Sequence, residues 1–110
     1  SVASRGLGDV YKRQLHTNEL EEFNKKVKDQ PLFLAKKFAF KEAFVKAIGT
    51  GFREPYYLNR IEIIKDKLGK PSVVTHEEAK KEFEDLGITK AHVSLSDTEN
   101  YVVAFVVLER

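Results

Sequence analysis

Residues 31–48 constrain the fold of this chain more than any other stretch. Phe33, Phe38, Phe40 and Phe44, four of the eight phenylalanines, fall there beside Leu34, Val45, Ala47 and Ile48. At helical spacing Leu34, Phe38, Val45 and Ile48 line one flank, while Phe33, Phe40, Phe44 and Ala47 line others. Pro31 suits a first turn, and Gly49, free to take a positive φ, suits a terminator. The prediction is a central helix over Pro31–Ile48, buried nearly all round. The remaining residues must wrap it, and a chain of 110 residues makes one domain, not two.

The wrapping elements follow in order. A helix over Glu19–Lys28 is expected, capped by Asn18 with Glu21 as reciprocal partner and striped by Leu20, Phe23 and Val27. After a loop through Pro55, Ile61–Ile64 and Ser72–Thr75 read as a hairpin around a turn at Asp66–Gly69. Thr75 and Glu78 spell a capping box for a helix over His76–Leu86, with Ala79, Phe83 and Leu86 facing inward and Gly87 ending it. Ala91–Ser96 and Tyr101–Leu108 close the chain as strands. The second is β-branched and aromatic throughout, which predicts a central position in the sheet. The class is α+β, a mostly antiparallel sheet packed on a central buried helix.

Composition excludes several chemistries. Without cysteine there is no disulfide, zinc–thiolate site or thiol nucleophile, which suits a reducing compartment. No apolar run reaches membrane length and no secretory signal is present, so the expected location is cytoplasmic. A net charge of +2 is compatible with an acidic partner and too small to argue for nucleic acid.

The first fourteen residues read differently. Asp9 to Gln14 back-translates, with one choice of codons, into a transposon end used in sequencing libraries. Residues 1–14 are therefore expected to be a non-native scar joined to a truncated gene, with a natural strand over Val2–Tyr11 as the alternative. The domain proper is then 15–110.

Chemistry concentrates at the end of the central helix. Glu42 and Lys46 stand one turn apart, and Gly49-Thr50-Gly51 follows. A surface ion pair is the plain reading. A purposeful pair is the other, because a charge on an apolar helix is costly to bury without a partner. The glycine turn would let backbone N–H groups approach phosphate oxygens, or would simply cap the helix. His92, Ser94 and Ser96 share one strand face, which lines either a cleft or open solvent. His16 and His76 read as incidental. Lys70 sits in a turn where it can meet an anion. Lys25, Lys26, Lys28, Lys36 and Lys37 read as a solvated face, with anion binding as the lesser reading.

The stretch from Phe33 to Gly51, FLAKKFAFKEAFVKAIGTG, resembles the central signature F-L-A-x-R-F-A-A-K-E-A-F-x-K-A-x-G-T-G of the holo-acyl-carrier-protein synthases. These are the small trimeric branch of the phosphopantetheinyl transferases. Leu15–Leu20, Ile61-Glu62-Ile63 with Gly69-Lys70-Pro71, Ala91–Ser96 and Tyr101–Arg110 extend the likeness from Leu15 to the C-terminus. The resemblance implies transfer of the 4′-phosphopantetheine arm of coenzyme A to a serine of an acyl carrier protein. It assigns Glu42 to Mg²⁺ and Lys46 to the reacting phosphate. It assigns Lys37, Gly49, Thr50, Gly51, Lys70, Pro71 and His92 to the coenzyme. It further implies a homotrimer with sites between subunits.

The chain departs from the pattern in places. Asp9 is one residue early for the family's second acidic ligand, a shift that would turn it to the opposite strand face. The helix expected next has no room before Leu15. Lys37 replaces an arginine, which weakens a bidentate phosphate grip. Phe40 replaces a small residue, and Asp97 stands where His is common. The chain as written is accordingly expected to be inactive or nearly so. Two rivals remain: a small basic anion- or RNA-binding module, and an oligomerising structural subunit without a ligand.

Overall fold

The computed structural model describes residues 13–26, 28–99 and 101–110. The segment Val2–Tyr11, Asp9 and Val27 lie outside these. Three helices, α1 (Thr17–Lys25), α2 (Gln30–Ile48) and α3 (Glu77–Asp85), combine with β1 (Ile61–Lys65), β2 (Pro71–Thr75), β3 (Lys90–Asp97) and β4 (Val102–Glu109). The strands form two antiparallel hairpins, β1–β2 and β3–β4.

Helix α2 is the axis, as its sequence requires. Phe40, Phe44 and Val45 on it bury against Tyr56, Ile61, Ile63, Ala79 and Val93, with Phe83, Leu95, Ala104, Val106 and Leu108 closing round them. Each buried phenylalanine contributes roughly 1.5–3 kcal/mol of transfer free energy. A second cluster, Leu15 with Phe33 and Leu34, takes Leu20 and Phe23 from α1. Gly49 ends α2 with φ of 96°, its N–H donating to the Val45 carbonyl. Burial is incomplete, however: Lys46, Ala47 and Phe38 reach solvent, and Phe38 lies against the exposed ring of Phe52.

Both predicted caps move by one or two residues. His16, not Asn18, caps α1: its Nδ1 accepts the Asn18 N–H while the Glu19 carboxylate accepts the His16 N–H. Asn18 is thereby free to hold Glu62 instead. At α3 the cap residue is His76, and Thr75, buried at the end of β2, makes no capping box. Register explains it: Thr75 pairs with Ile61 in the ladder, so its side chain belongs to the hairpin.

β4 is not central. Among the described residues it pairs with β3 alone, and its residues alternate half-buried and exposed. Ala104, Val106 and Leu108 face α2, whereas Tyr101, Val103, Phe105 and Val107 face outward. An apolar residue at every position reads as a strand covered on both sides. Among the described residues only one side is covered.

Candidate functional site

The buried charges of α2 are not the expected ones. Lys41, 1% exposed, donates from Nζ to Glu19, to the Gln14 carbonyl at 2.8 Å and to the Leu58 carbonyl at 2.9 Å. Glu19 returns its other oxygen to the Ile63 N–H at 2.9 Å. One ion pair thus ties α1, α2, β1 and the turn at Leu58 together. Burial lowers the Lys41 pKa and the facing Glu19 carboxylate opposes that fall. Any residue can offer the carbonyl that Gln14 offers, so the contact asks nothing of the side chain at position 14.

Lys37 is buried as well, correcting the solvated face expected for it. Its Nζ donates to the Ile63 carbonyl at 2.7 Å and lies 3.8 Å from Glu22 and 5.1 Å from the Phe33 ring centroid. Burial pushes its pKa down, against the pull of Glu19 and Glu22. Lys37 also borders a cavity of about 430 Å³ with Lys26, Lys36 and Lys65 around it. Phe33, Phe40 and Leu95 supply apolar wall, and Gly69 and Pro71 bring the β1–β2 turn to its edge. Asp97 lies 3.7 Å from Lys36 across the same opening. Glu22, Asp29 and Asp97 line it too, so four ammonium groups and three carboxylates surround a hollow with an aromatic wall, a small cationic excess that suits a ligand carrying both phosphates and a flat ring.

Glu42 and Lys46 are surface groups, 47% and 74% exposed, with nitrogen and oxygen 3.9 Å apart. The apolar helix imposes no burial cost on this pair, because Lys41, not Glu42, turns inward. A half-exposed carboxylate is instead a hard oxygen donor open to an incoming ion. The amides of Gly49, Thr50 and Gly51 all point at the Val45 carbonyl, at 2.9, 3.1 and 3.4 Å, so in this conformation they serve the helix cap. What the glycines offer a ligand is open space: a Cβ at Gly49 or Gly51 would meet nothing within 4 Å.

His92 stands on the outer face of β3, 3.5 Å from Glu109 and opposite Val107. Leu95 and Asp97, at the odd positions, face the cavity. His92 therefore points away from it, and one copy of the chain does not bring Lys37 and His92 to a single hollow. Lys70 is exposed in the β1–β2 turn, its backbone held by Asp66. The outer face of β4 presents Phe105, and Tyr101 just before the strand is exposed as well.

Sequence reasoning missed a second cluster. His76 Nε2 lies 2.8 Å from Glu62 Oε1, His16 Nδ1 lies 3.7 Å from the same oxygen, and the two imidazoles stack at 3.8 Å. Neither histidine is incidental. The available signal was Glu62 itself, a carboxylate within the apolar run Ile61-Glu62-Ile63-Ile64, together with a histidine immediately before each of two helices.

The family profile described as the 4′-phosphopantetheinyl transferase superfamily matches residues 2–106. A holo-[acyl-carrier-protein] synthase of Cronobacter sakazakii is 40% identical over 110 residues, covering 99% of this chain and 86% of that protein. The crystal structure of the Neisseria meningitidis holo-[acyl-carrier-protein] synthase superposes with a TM-score of 0.87 at 41% identity, over 96% of this chain and 85% of that one. The Bacillus anthracis holo-(acyl-carrier-protein) synthase, solved in complex with CoA (3′,5′-ADP), gives 0.75 at 33% identity, over 96% and 84%.

Proposed function

The chain belongs to the 4′-phosphopantetheinyl transferase superfamily, and from that membership we propose that it moves the phosphopantetheine arm of coenzyme A to a serine of an apo acyl carrier protein. The observation that carries the reading is the lysine-rimmed, Phe-walled cavity on the helix that also bears Glu42. The serine oxygen forms the new bond to the phosphorus that carries the pantetheine. The P–O bond to the nucleotide breaks, and adenosine 3′,5′-bisphosphate and the hydroxyl proton leave.

Lys37, Lys36 and Lys65 would hold the nucleotide phosphates, with Pro71 and Lys70 beside the adenosine. Lys37 is the best placed, since the Ile63 carbonyl fixes its ammonium. Lys46, at the last turn of α2, brings a mobile point charge to the reacting phosphate. Gly49 and Gly51, on either side of Thr50, give the arm a turn with open space where side chains would stand. Glu42 fits Mg²⁺, an ion that takes hard oxygen donors and commonly only one or two carboxylates beside substrate phosphates. When bound there, Mg²⁺ would supply neutralisation of the pyrophosphate. Asp9, the sequence's candidate for a second acidic ligand, lies outside the described residues.

The outward direction of His92 supports a site completed by a second copy. The apolar strip Val103, Phe105 and Val107 beside it is the surface we assign to that contact, in the trimer the family resemblance implies. No helix among the described residues is long and apolar enough to cross a membrane, and we assign the reaction to the cytoplasm. Labelled arm transfer from coenzyme A to an apo carrier protein is the test, on the chain as written and on one with Asp9 moved into the family register. Mg²⁺-dependent transfer, greater in the second, is expected. No transfer by either, with both folded, would refute the assignment.

A further inference from the structure

We propose that His16, Glu62 and His76 form a binding site for a divalent transition ion, with Zn²⁺ the ion their donors suit best. Two imidazoles and one carboxylate are a donor set that Zn²⁺ takes readily and Mg²⁺ does not. One donor atom from each residue lies within 4.8 Å of the others. A tetrahedral ion with bonds of about 2.0–2.1 Å sets its donors roughly 3.3 Å apart. The Glu62 oxygen stands 2.8 Å from His76 Nε2 and 3.7 Å from His16 Nδ1, bracketing that spacing.

The surroundings are those of a held site. Glu62 is buried, and the Asn18 amide donates to both of its oxygens at 3.3 and 3.2 Å, fixing the carboxylate from behind. His76 is anchored by its backbone N–H on the Arg60 carbonyl at 2.9 Å, and Arg60, which borders the same cavity, has its guanidinium paired with Glu77. A cavity of about 240 Å³, bordered by Thr17, Asn59 and Glu77, opens beside the two histidines and leaves room for water as a fourth ligand. The stacked rings differ by 14°, so sharing an ion requires one to tilt. His16 is the ring that must move, and because its Nδ1 has a single lone pair, ligation there would replace the capping bond it accepts from the Asn18 N–H at 3.2 Å. The three donors come from the start of α1, from β1 and from the start of α3. An ion there would fasten three separate elements, independently of the transfer site.

Titration of the full chain with Co²⁺, a spectroscopic stand-in for Zn²⁺, is the experiment. The expected result is one Co²⁺ per chain with visible absorption of tetrahedral intensity, displaced by Zn²⁺. Zn²⁺, but not Mg²⁺, should raise the melting temperature. Glu62→Gln and His76→Ala should each weaken Co²⁺ binding by at least about tenfold. His76 makes no side-chain capping bond, so its alanine variant keeps α3 intact and decides the matter if Glu62→Gln fails to fold. No visible band in the unaltered chain, or full binding retained in His76→Ala, would overturn the proposal.

Discussion

Lys41 and Glu42 are neighbours on one helix, each with an oppositely charged partner, and they do opposite jobs. Lys41 is sealed in with Glu19 and two backbone carbonyls, while Glu42 meets Lys46 in solvent. A step of one residue turns a side chain by roughly 100° about a helix axis. That rotation separates a charge that holds the fold from a charge left at the surface. The buried pair cannot exchange its partners for a ligand without opening the core, and the exposed pair can.

Breaking the inner pair should have the largest effect on stability. Lys41→Met leaves the Glu19 carboxylate buried and unpaired, and should destabilise the chain by about 3–5 kcal/mol in denaturant unfolding. A loss below about 1 kcal/mol would mean the pair is not the tie it looks like. The next effect lies on β4. Phe105→Asp puts a carboxylate on the outer strip, and association of copies, followed by sedimentation, should weaken by at least about tenfold per interface. Unchanged assembly would remove that strip from the contact.

A smaller effect, of opposite sign, sharpens the view of the core. The Tyr56 hydroxyl is buried with no hydrogen-bond partner among the described residues. Tyr56→Phe should therefore stabilise the chain by about 1 kcal/mol. Burial raises the Tyr56 pKa. The unfolded chain then loses this proton first, at about pH 10, and stability falls as pH rises from there toward the higher folded value. The phenylalanine variant should lack that part of the alkaline loss when the two are unfolded side by side at pH 9 and 11.

The same contrast explains what was legible in the sequence. The central helix, the β1–β2 hairpin, the strands β3 and β4 and the inward face of α3 follow from apolar spacing, because burial is a local pattern. The direction of Lys41 against Glu42 was not legible. In a helix apolar on several sides no stripe marks the solvent face, and only the arrival of Glu19 from another element decides it. The position of β4 failed for a related reason: a strand apolar on both faces does not say whether its second cover is the same chain or another copy. Resemblance supplied Glu42 and the cavity residues Lys37 and Pro71. It supplied nothing on the cluster at Glu62, whose members lie far apart in sequence.

The most direct test of the account is coenzyme A binding by Glu42→Ala, measured calorimetrically with and without Mg²⁺ beside a thermal melt. An exposed pair of this kind is worth at most about 0.5 kcal/mol to the fold, so the melt should hardly move. The gain in coenzyme affinity that Mg²⁺ gives the unaltered chain should vanish. A variant that melts normally and keeps the full Mg²⁺ gain would contradict the assignment of Glu42 as the ion's ligand.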